Sequence, residues 1–448
     1  MLLTGNCLEL LAEMPDNSVD SIVTDPPYEL GFMGKSWDNS GIAYSVELWS
    51  QALRVLKPGG HLLAFGGSRT YHRLASAVED AGFEIRDQIM YLYGSGFPKS
   101  LNIAKSIENK ITTGSAAKNG FHKLEGERTG EGRIGMYDTV EEQGFRKVNP
   151  NQLGAFNLDP TTPEAQQWQG WGTALKPAHE PIVVARKPLI GTVATNVLTY
   201  GTGAMNIDGS RVGTTDNFDG LKGRPITKLA TRREGETDEE YKNRVLESTG
   251  QQEALAKLKD LGRWPANVIH DGSEEVLARF PNTKGGTAVR GKSGGNTFGG
   301  DNPKPPLDDI GYGDSGSAAR FFYCAKASRS ERNAGLEGLP EKPGGSNAKG
   351  YTQDVANGLD RNRPVANFHP TVKPIALMRY LVKLVTPPNG TVLDPFLGSG
   401  STAVAAILEG FQWIGCELTE DYWAIIDARV SWAESEYAKT APEQESLF

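Results

Sequence analysis

The sequence predicts an α/β fold in which one parallel sheet is assembled from both ends of the chain, with a long region inserted between them. Three observations carry this. Apolar, strand-like runs alternate with helical patterns over residues 1–100, and the same texture returns over 365–448. Each run closes on a short turn rich in glycine, proline or aspartate, and the residues in between lose the alternation.

Each element has its own reason. Residues 19–24 (Val-Asp-Ser-Ile-Val-Thr) read as a buried strand that stops at Asp25-Pro26-Pro27-Tyr28. Positions 46, 48, 49, 52, 53, 55 and 56 are apolar, one helical face over 45–56, and Lys57-Pro58-Gly59-Gly60 ends it before a strand at 61–65. A helix over 71–81, closed by Gly82, and a strand over 83–93 complete the first half. In the second half a helix over 377–385 ends at Pro387-Pro388-Asn389-Gly390. A strand at 391–394 then leads through a glycine turn to a helix at 401–409, a strand at 411–417 and a last helix over 422–437.

The expected organisation is one half of the core in 1–100, an insertion in 101–175, a core strand in 176–188, an inserted region in 189–364 and the other half of the core in 365–448. Within the inserted region, residues 281–316 hold ten glycines and read as loops, and a polar, solvated helical stretch runs from 234 to 261. Trp168, Trp171 and Trp264 are expected in the core.

Composition narrows the class. Of 448 residues, 38% are hydrophobic and 23% charged, and mean hydropathy is -0.42, which excludes fibrous, disordered and integral-membrane chains. Nothing approaches the ~20 apolar residues of a membrane helix, and the start lacks the basic and apolar regions of a secretory signal. Cys7, Cys324 and Cys416 stand far apart with no metal-ligand spacing, so a reducing, cytoplasmic setting without a metal is expected. Glycine is 53 of 448, about 12% against a usual ~7%. The net charge of -8 argues at first sight against a nucleic-acid partner, but it is uneven. Residues 176–233 carry nine Lys/Arg against four Asp/Glu, residues 320–333 four against one, and residues 431–448 four glutamates against one lysine.

Three motifs carry chemistry. In Asp25-Pro26-Pro27-Tyr28, two prolines remove backbone donors and leave carbonyls that only accept, beside a carboxylate and an aromatic ring. That set suits an amino group on a flat heteroaromatic ring. The second, Val392-Leu393-Asp394-Pro395-Phe396-Leu397-Gly398-Ser399-Gly400-Ser401-Thr402-Ala403, fits a nucleotide-binding fingerprint with Glu417 nineteen residues after Gly398. By itself it suits NAD, FAD or S-adenosylmethionine. The third, His369-Pro370-Thr371-Val372-Lys373-Pro374, offers hydroxyl and ammonium donors for a ligand carboxylate.

In this order, with a long middle between the first motif and the other two, the motifs resemble the β class of DNA amino-methyltransferases. The segments 94–100, 175–181 and 320–329 resemble phage and prophage members of that family. The resemblance implies a Rossmann-like methyltransferase sheet with a target-recognition region in 189–364, S-adenosylmethionine as methyl donor and double-stranded DNA as partner. It further implies a cytoplasmic, bacterial or phage-encoded enzyme of restriction-modification type; members often form homodimers, and no membrane is involved. Asp25, Pro26, Pro27 and Tyr28 would be catalytic: Asp25 and the Pro26 carbonyl would accept hydrogen bonds from the target amino group, while Tyr28 stacks on a flipped base. The cofactor set would be Asn6, Cys7, Asp25, His369, Thr371, Lys373, Asp394, Phe396, Gly398, Ser399, Gly400, Ser401, Thr402, Glu417 and Leu418. In that set Glu417 would hold the ribose, with Thr371 and Lys373 at the methionine end. Asn6 stands where the family usually has Asp, and Ser401 where Thr is common. Asp-Pro-Pro-Tyr leans toward adenine N6, with cytosine N4 as the alternative. A dehydrogenase would leave the first and third motifs without a role, RNA or protein-amide methylation would favour Asn at position 25, and a DNA-binding module without catalysis would not need the full set.

Overall fold

The computed structural model describes residues 1–30, 36–96, 100–113, 160–214, 235, 237, 239–240, 251–283, 316–325, 329–340, 342–343 and 364–440. Most of the expected glycine loops of 281–316, much of the stretch 234–261 and the centres of the segments 94–100 and 320–329 lie outside the described residues. The chain divides into two compact units, residues 1–95 with 178–448, and residues 96–177.

The first unit is built on a nine-stranded sheet. Its strands are β1 (Leu2–Thr4), β2 (Val19–Thr24), β3 (Leu56–Phe65), β4 (Glu84–Leu92), β5 (His179–Arg186), β6 (Val268–His270), β7 (Tyr323–Cys324), β8 (Thr391–Asp394) and β9 (Gln412–Glu417). They lie in the order β1-β9-β8-β2-β3-β5-β4-β6-β7. The two chain ends thus meet at the centre, where β8 pairs in parallel with β9 on one side and β2 on the other. This is an α/β, Rossmann-like sheet assembled from both ends. From β8 the chain winds outward in one direction through β9, while β2 leads away in the other. That change of direction is a topological switch point, where open α/β sheets bind ligands beyond the carboxyl ends of their strands.

Two features differ from the sequence reading. The sheet is mixed rather than parallel, because β5 runs antiparallel to both β3 and β4. Its apolar run Ile182–Ala185 is buried on both faces, a pattern that marks burial and not direction. The second difference is that Lys57-Pro58-Gly59-Gly60 does not separate helix from strand but already belongs to β3. Gly59 takes φ +77°, its N–H donates to the Lys187 carbonyl at 3.1 Å, and the Pro58 carbonyl accepts from Asn196 and Thr202. The backbone groups that Pro58 and the glycines leave unpaired in the ladder are therefore satisfied from the side.

Helices cover the sheet: α1 (Cys7–Glu13), α2 (Val46–Val55), α3 (Tyr71–Asp80), α4 (Val193–Tyr200), and after them α5 (Ile375–Val385), α6 (Ser401–Leu408) and α7 (Trp423–Thr440) in the C-terminal part. Short helix Asx and Ser caps start two of them, Asn6 accepting from Leu8 N at 3.0 Å and Ser45 from Leu48 N at 3.3 Å. On one face Leu11, Leu48, Trp49 and Val78 pack over Ile22 and Leu62; on the other Leu377, Leu381 and Ala405 pack over Val23, Leu63 and Val392. The second unit holds helices Ile103–Thr113 and Pro163–Gln167, joined by Glu108, which accepts from Thr161 and Thr162.

The three tryptophans expected in the core lie at the surface. Trp168, Trp171 and Trp264 are 39%, 60% and 64% exposed. The first two meet edge to face at 5.1 Å, and Trp264 lies beneath the Arg211 guanidinium, so each finds a local partner instead of the core. Among the described residues no helix is long and apolar enough to cross a membrane, and no cluster of His, Cys, Asp and Glu is placed to hold a metal.

His61, on β3, is buried, and burial together with Arg186 and Arg86 lowers its pKa to about 4. An unfolded histidine takes up its proton near pH 6.5, so below that pH the unfolded chain binds more protons and stability falls. Between pH 7 and pH 5 this one group removes about 2 kcal/mol. Thermal midpoints at both pH values should therefore drop further in the wild type than in His61→Gln; equal drops would contradict the assignment.

Candidate active site

Parallel strands β2, β8 and β9 deliver Asp25, Asp394 and Glu417 to one edge of the sheet. The Asp394 carboxylate is 2% exposed and fully engaged. One oxygen accepts from Thr24 Oγ1 at 2.6 Å and from Phe396 N at 3.0 Å; the other accepts from Thr402 Oγ1 at 2.5 Å. Burial raises its pKa to about 6 against these donors. It therefore faces inward and holds β2, the turn after β8 and the start of α6 together.

The turn itself needs its glycines. Gly398 and Gly400 take φ +57° and +80°, and a Cβ on Gly398 would stand 3.0 Å from His369 Nε2. The Gly398 N–H donates to Glu417 Oε2 at 2.7 Å, and Thr419 N donates to Oε1 at 2.7 Å. Each oxygen thus keeps acceptor capacity beyond its one donor. Burial raises the Glu417 carboxyl above the usual range, with the Thr419 and Gly398 N–H groups opposing.

At the end of β2, Asp25 Oδ2 accepts from Lys373 Nζ at 2.7 Å, while Asp25 Oδ1 is buried without a hydrogen-bond partner. The same ammonium lies 3.2 Å from the Tyr28 hydroxyl and 3.5 Å from Glu180 Oε2, over the faces of Tyr28 and Phe65. Burial raises Asp25, with Lys373 opposing; burial also raises Tyr28 well above 10, so its hydroxyl keeps its proton. For Lys373 burial acts downward, but Asp25 and Glu180 outweigh it and the net shift is upward. The Tyr28 carbonyl is fixed by Thr70 Oγ1 at 2.9 Å, and the next two N–H groups by Asp38 at 2.9 and 3.2 Å.

The structure thus brings Asp25, Tyr28 and Lys373 into one cluster, and Phe396, Gly398, Ser399, Gly400, Ser401, Thr402 and Glu417 into the neighbouring turn. Of the two residues expected at a methionine end, Lys373 has its ammonium between Asp25 and Glu180. Cys7 is buried, and burial pushes its thiol to about 11. His369 packs edge-on against Tyr422 and is held neutral, its pKa lowered to about 3 by burial. Thr371 is exposed and Leu418 is 66% exposed.

Two residues escaped sequence reasoning. Glu180 lies in the segment 175–181 that carried part of the resemblance, yet received no role there. Arg429, fully buried on α7, donates to the Ser399 carbonyl and to the Ser399 and Ser401 hydroxyls at 2.5, 3.0 and 3.2 Å, bracing the glycine turn from behind. Its signal was periodicity: it falls on the same face as Ile425, Ile426 and Ala433, a core position for a charged residue.

A family model described as DNA methylase matches residues 19–428. A relative in Escherichia coli (strain K12), YubD, is 54% identical over 89 residues, which cover 16% of this chain and 39% of the relative. The type II methyltransferase M.ScaI of Streptomyces caespitosus is 37% identical over 76 residues, 17% of this chain and 25% of the relative. The chain thus spans well under half the length of these curated relatives. Among solved structures, the cytosine-N4-specific PvuII DNA methyltransferase is 12% identical with a TM-score of 0.39, covering 98% of this chain and 91% of that one. So distant a likeness carries no further inference.

Thr402→Val removes one donor from a carboxylate that water cannot reach. A loss of about 1–3 kcal/mol is expected in chemical denaturation; an unchanged midpoint would show that Asp394 does not need this bond.

Proposed function

The chain belongs to the DNA methylase family of the N6/N4 type, and from that premise we propose that it transfers a methyl group from S-adenosylmethionine to the N6 amino group of a flipped-out adenine in duplex DNA. The observation that carries this is Asp25 Oδ1, a buried acceptor without a donor next in sequence to Pro26, which has no N–H to offer. A buried polar atom left in this state costs free energy unless a ligand satisfies it. An exocyclic amine brings the N–H it lacks.

The residues at the turn fit the methyl donor. Glu417 retains acceptor capacity for ribose hydroxyls, and Gly398 and Gly400 take the positive φ that the turn before α6 requires. Bound there, S-adenosylmethionine would supply a methyl on a sulfonium. The rest falls to the chain. The amine of adenine is a weak nucleophile because its lone pair is delocalised into the ring. Asp25 and the Pro26 carbonyl would accept hydrogen bonds from its two N–H groups, pulling the nitrogen toward a pyramidal shape and aiming the lone pair. Extracting the base costs a few kcal/mol, and stacking on Tyr28 offsets part of it. Transfer to an amine needs no cysteine nucleophile, and the Pro-Cys dipeptide does not occur; Cys7 and Cys416 are buried with raised pKa values. The aspartate in Asp25–Tyr28 is what favours adenine over cytosine. Basic stretches in 176–233 and 320–333 supply charge for phosphates.

The test is to incubate the protein with unmethylated DNA and methyl-labelled S-adenosylmethionine, digest the DNA and identify the labelled nucleoside. N6-methyladenine is expected. N4-methylcytosine would replace the substrate assignment, and an unlabelled base fraction would overturn the reading. Asp25→Ala should abolish transfer while sparing donor binding, whereas Glu417→Gln should weaken donor binding about tenfold, the scale of one charge-assisted hydrogen bond.

A further inference from the structure

Two carboxylates share one ammonium at the end of β2. Lys373 Nζ is 2.7 Å from Asp25 Oδ2 and 3.5 Å from Glu180 Oε2, and its side chain is 10% exposed. The lysine is held where it is: the ammonium lies 4.9 and 5.3 Å from the Phe65 and Tyr28 ring centroids, and Pro374 immediately starts α5. Glu180 is fixed from the other side, on central strand β5 opposite Tyr91. The other titratable groups facing the cluster are Tyr28, Tyr91 and Tyr93, all raised by burial and therefore neutral, with Asp394 behind Thr24.

The charge count then matters. Asp25 and Lys373 alone would cancel, and an ammonium at 2.7 Å would compete with the amine for the Asp25 carboxylate. Resting on the methyltransferase reading above, we propose that Glu180 is a positioning residue for the transfer step: it neutralises Lys373, so that Asp25 meets the amine as an effective net negative charge. The need arises at one moment. As the N–C bond forms and the S–C bond breaks with its electron pair left on sulfur, positive charge passes to the amine nitrogen, which then gives one proton to water. A site with net charge -1 favours that charge, whereas a neutral site does not.

The double variant separates this role from mere packing. Glu180→Gln makes the triad neutral; Glu180→Gln with Lys373→Met returns it to -1 through Asp25 alone. In single-turnover assays at saturating donor and DNA, Glu180→Gln should slow transfer about tenfold to a hundredfold, the scale of one lost charge partner in a buried site. KM values should hold, and the double variant should recover part of the rate. A Glu180→Gln rate within about twofold of wild type would overturn the proposal, as would a double variant no faster than the single one. A second readout needs no turnover. In the free protein, acetylation of Lys373 by an amine-reactive ester at mildly alkaline pH, followed by mass spectrometry, should rise in Glu180→Gln, and equal labelling would show that Glu180 does not hold the ammonium. A wild type that labels no DNA base overturns the methyltransferase reading itself and is scored before any variant.

Discussion

The central strands of the sheet come from opposite ends of the chain, and the Asp394 carboxylate is the group that joins them. Its three donors belong to three pieces of backbone: Thr24 at the end of β2, Phe396 in the turn and Thr402 in the first turn of α6. Thr24 is 370 residues away in sequence. Loop closure over such a distance adds entropy only logarithmically, so a few strong contacts suffice to fix the seam. A carboxylate at 2% exposure would be costly alone; with three donors, two of them hydroxyls at 2.5–2.6 Å, its desolvation is offset. Asp20 repeats the device at the other end of β2, where it accepts from Lys57 at 2.5 Å and Thr391 N at 2.8 Å.

The contrast between Asp394 and Asp25 shows how surroundings assign roles to one residue type. They occupy the ends of neighbouring parallel strands. Asp394 has every oxygen occupied by its own fold and is spent on architecture. Asp25 has one oxygen paired to Lys373 and one with no donor. Burial raises both, but only at Asp25 does an ion pair oppose it. An unsatisfied buried atom persists only where the rest of the structure holds it in place. Here Asp38 and Thr70 do so by fixing the backbone just after Tyr28.

What was legible in the sequence follows from how local each cause is. Strand β8 and helices α5, α6 and α7 were readable because apolar periodicity and glycine turns are encoded within a dozen residues. The direction of β5 was not, since a run buried on both faces looks the same either way. The early start of β3 was hidden because Pro-Gly-Gly reads as a stop, and only Lys187, Asn196 and Thr202, brought from elsewhere, satisfy that backbone. At the site, the motifs announced Asp25 and Glu417 by themselves. The Lys373–Asp25 pair spans 348 residues, and Glu180 and Arg429 act through groups equally remote in the chain. No window of sequence contains such a relation.

The acidity of the whole chain also takes on a local meaning. Asp25, Glu180, Asp394 and Glu417 face or underlie one edge of the sheet, against Lys373. An edge of that sign repels a phosphate and attracts an amine donor. For the proposed substrate this sets a division of labour. On that reading the acidic edge does not hold phosphates, and the base alone, an uncharged ring with N–H donors, enters it. On the proposed function, extruding the base then serves an electrostatic purpose as well as a steric one. A duplex pressed whole against these carboxylates would bring its phosphates toward like charge, whereas a single base swung out of the stack carries to Asp25 only the donors that carboxylate lacks.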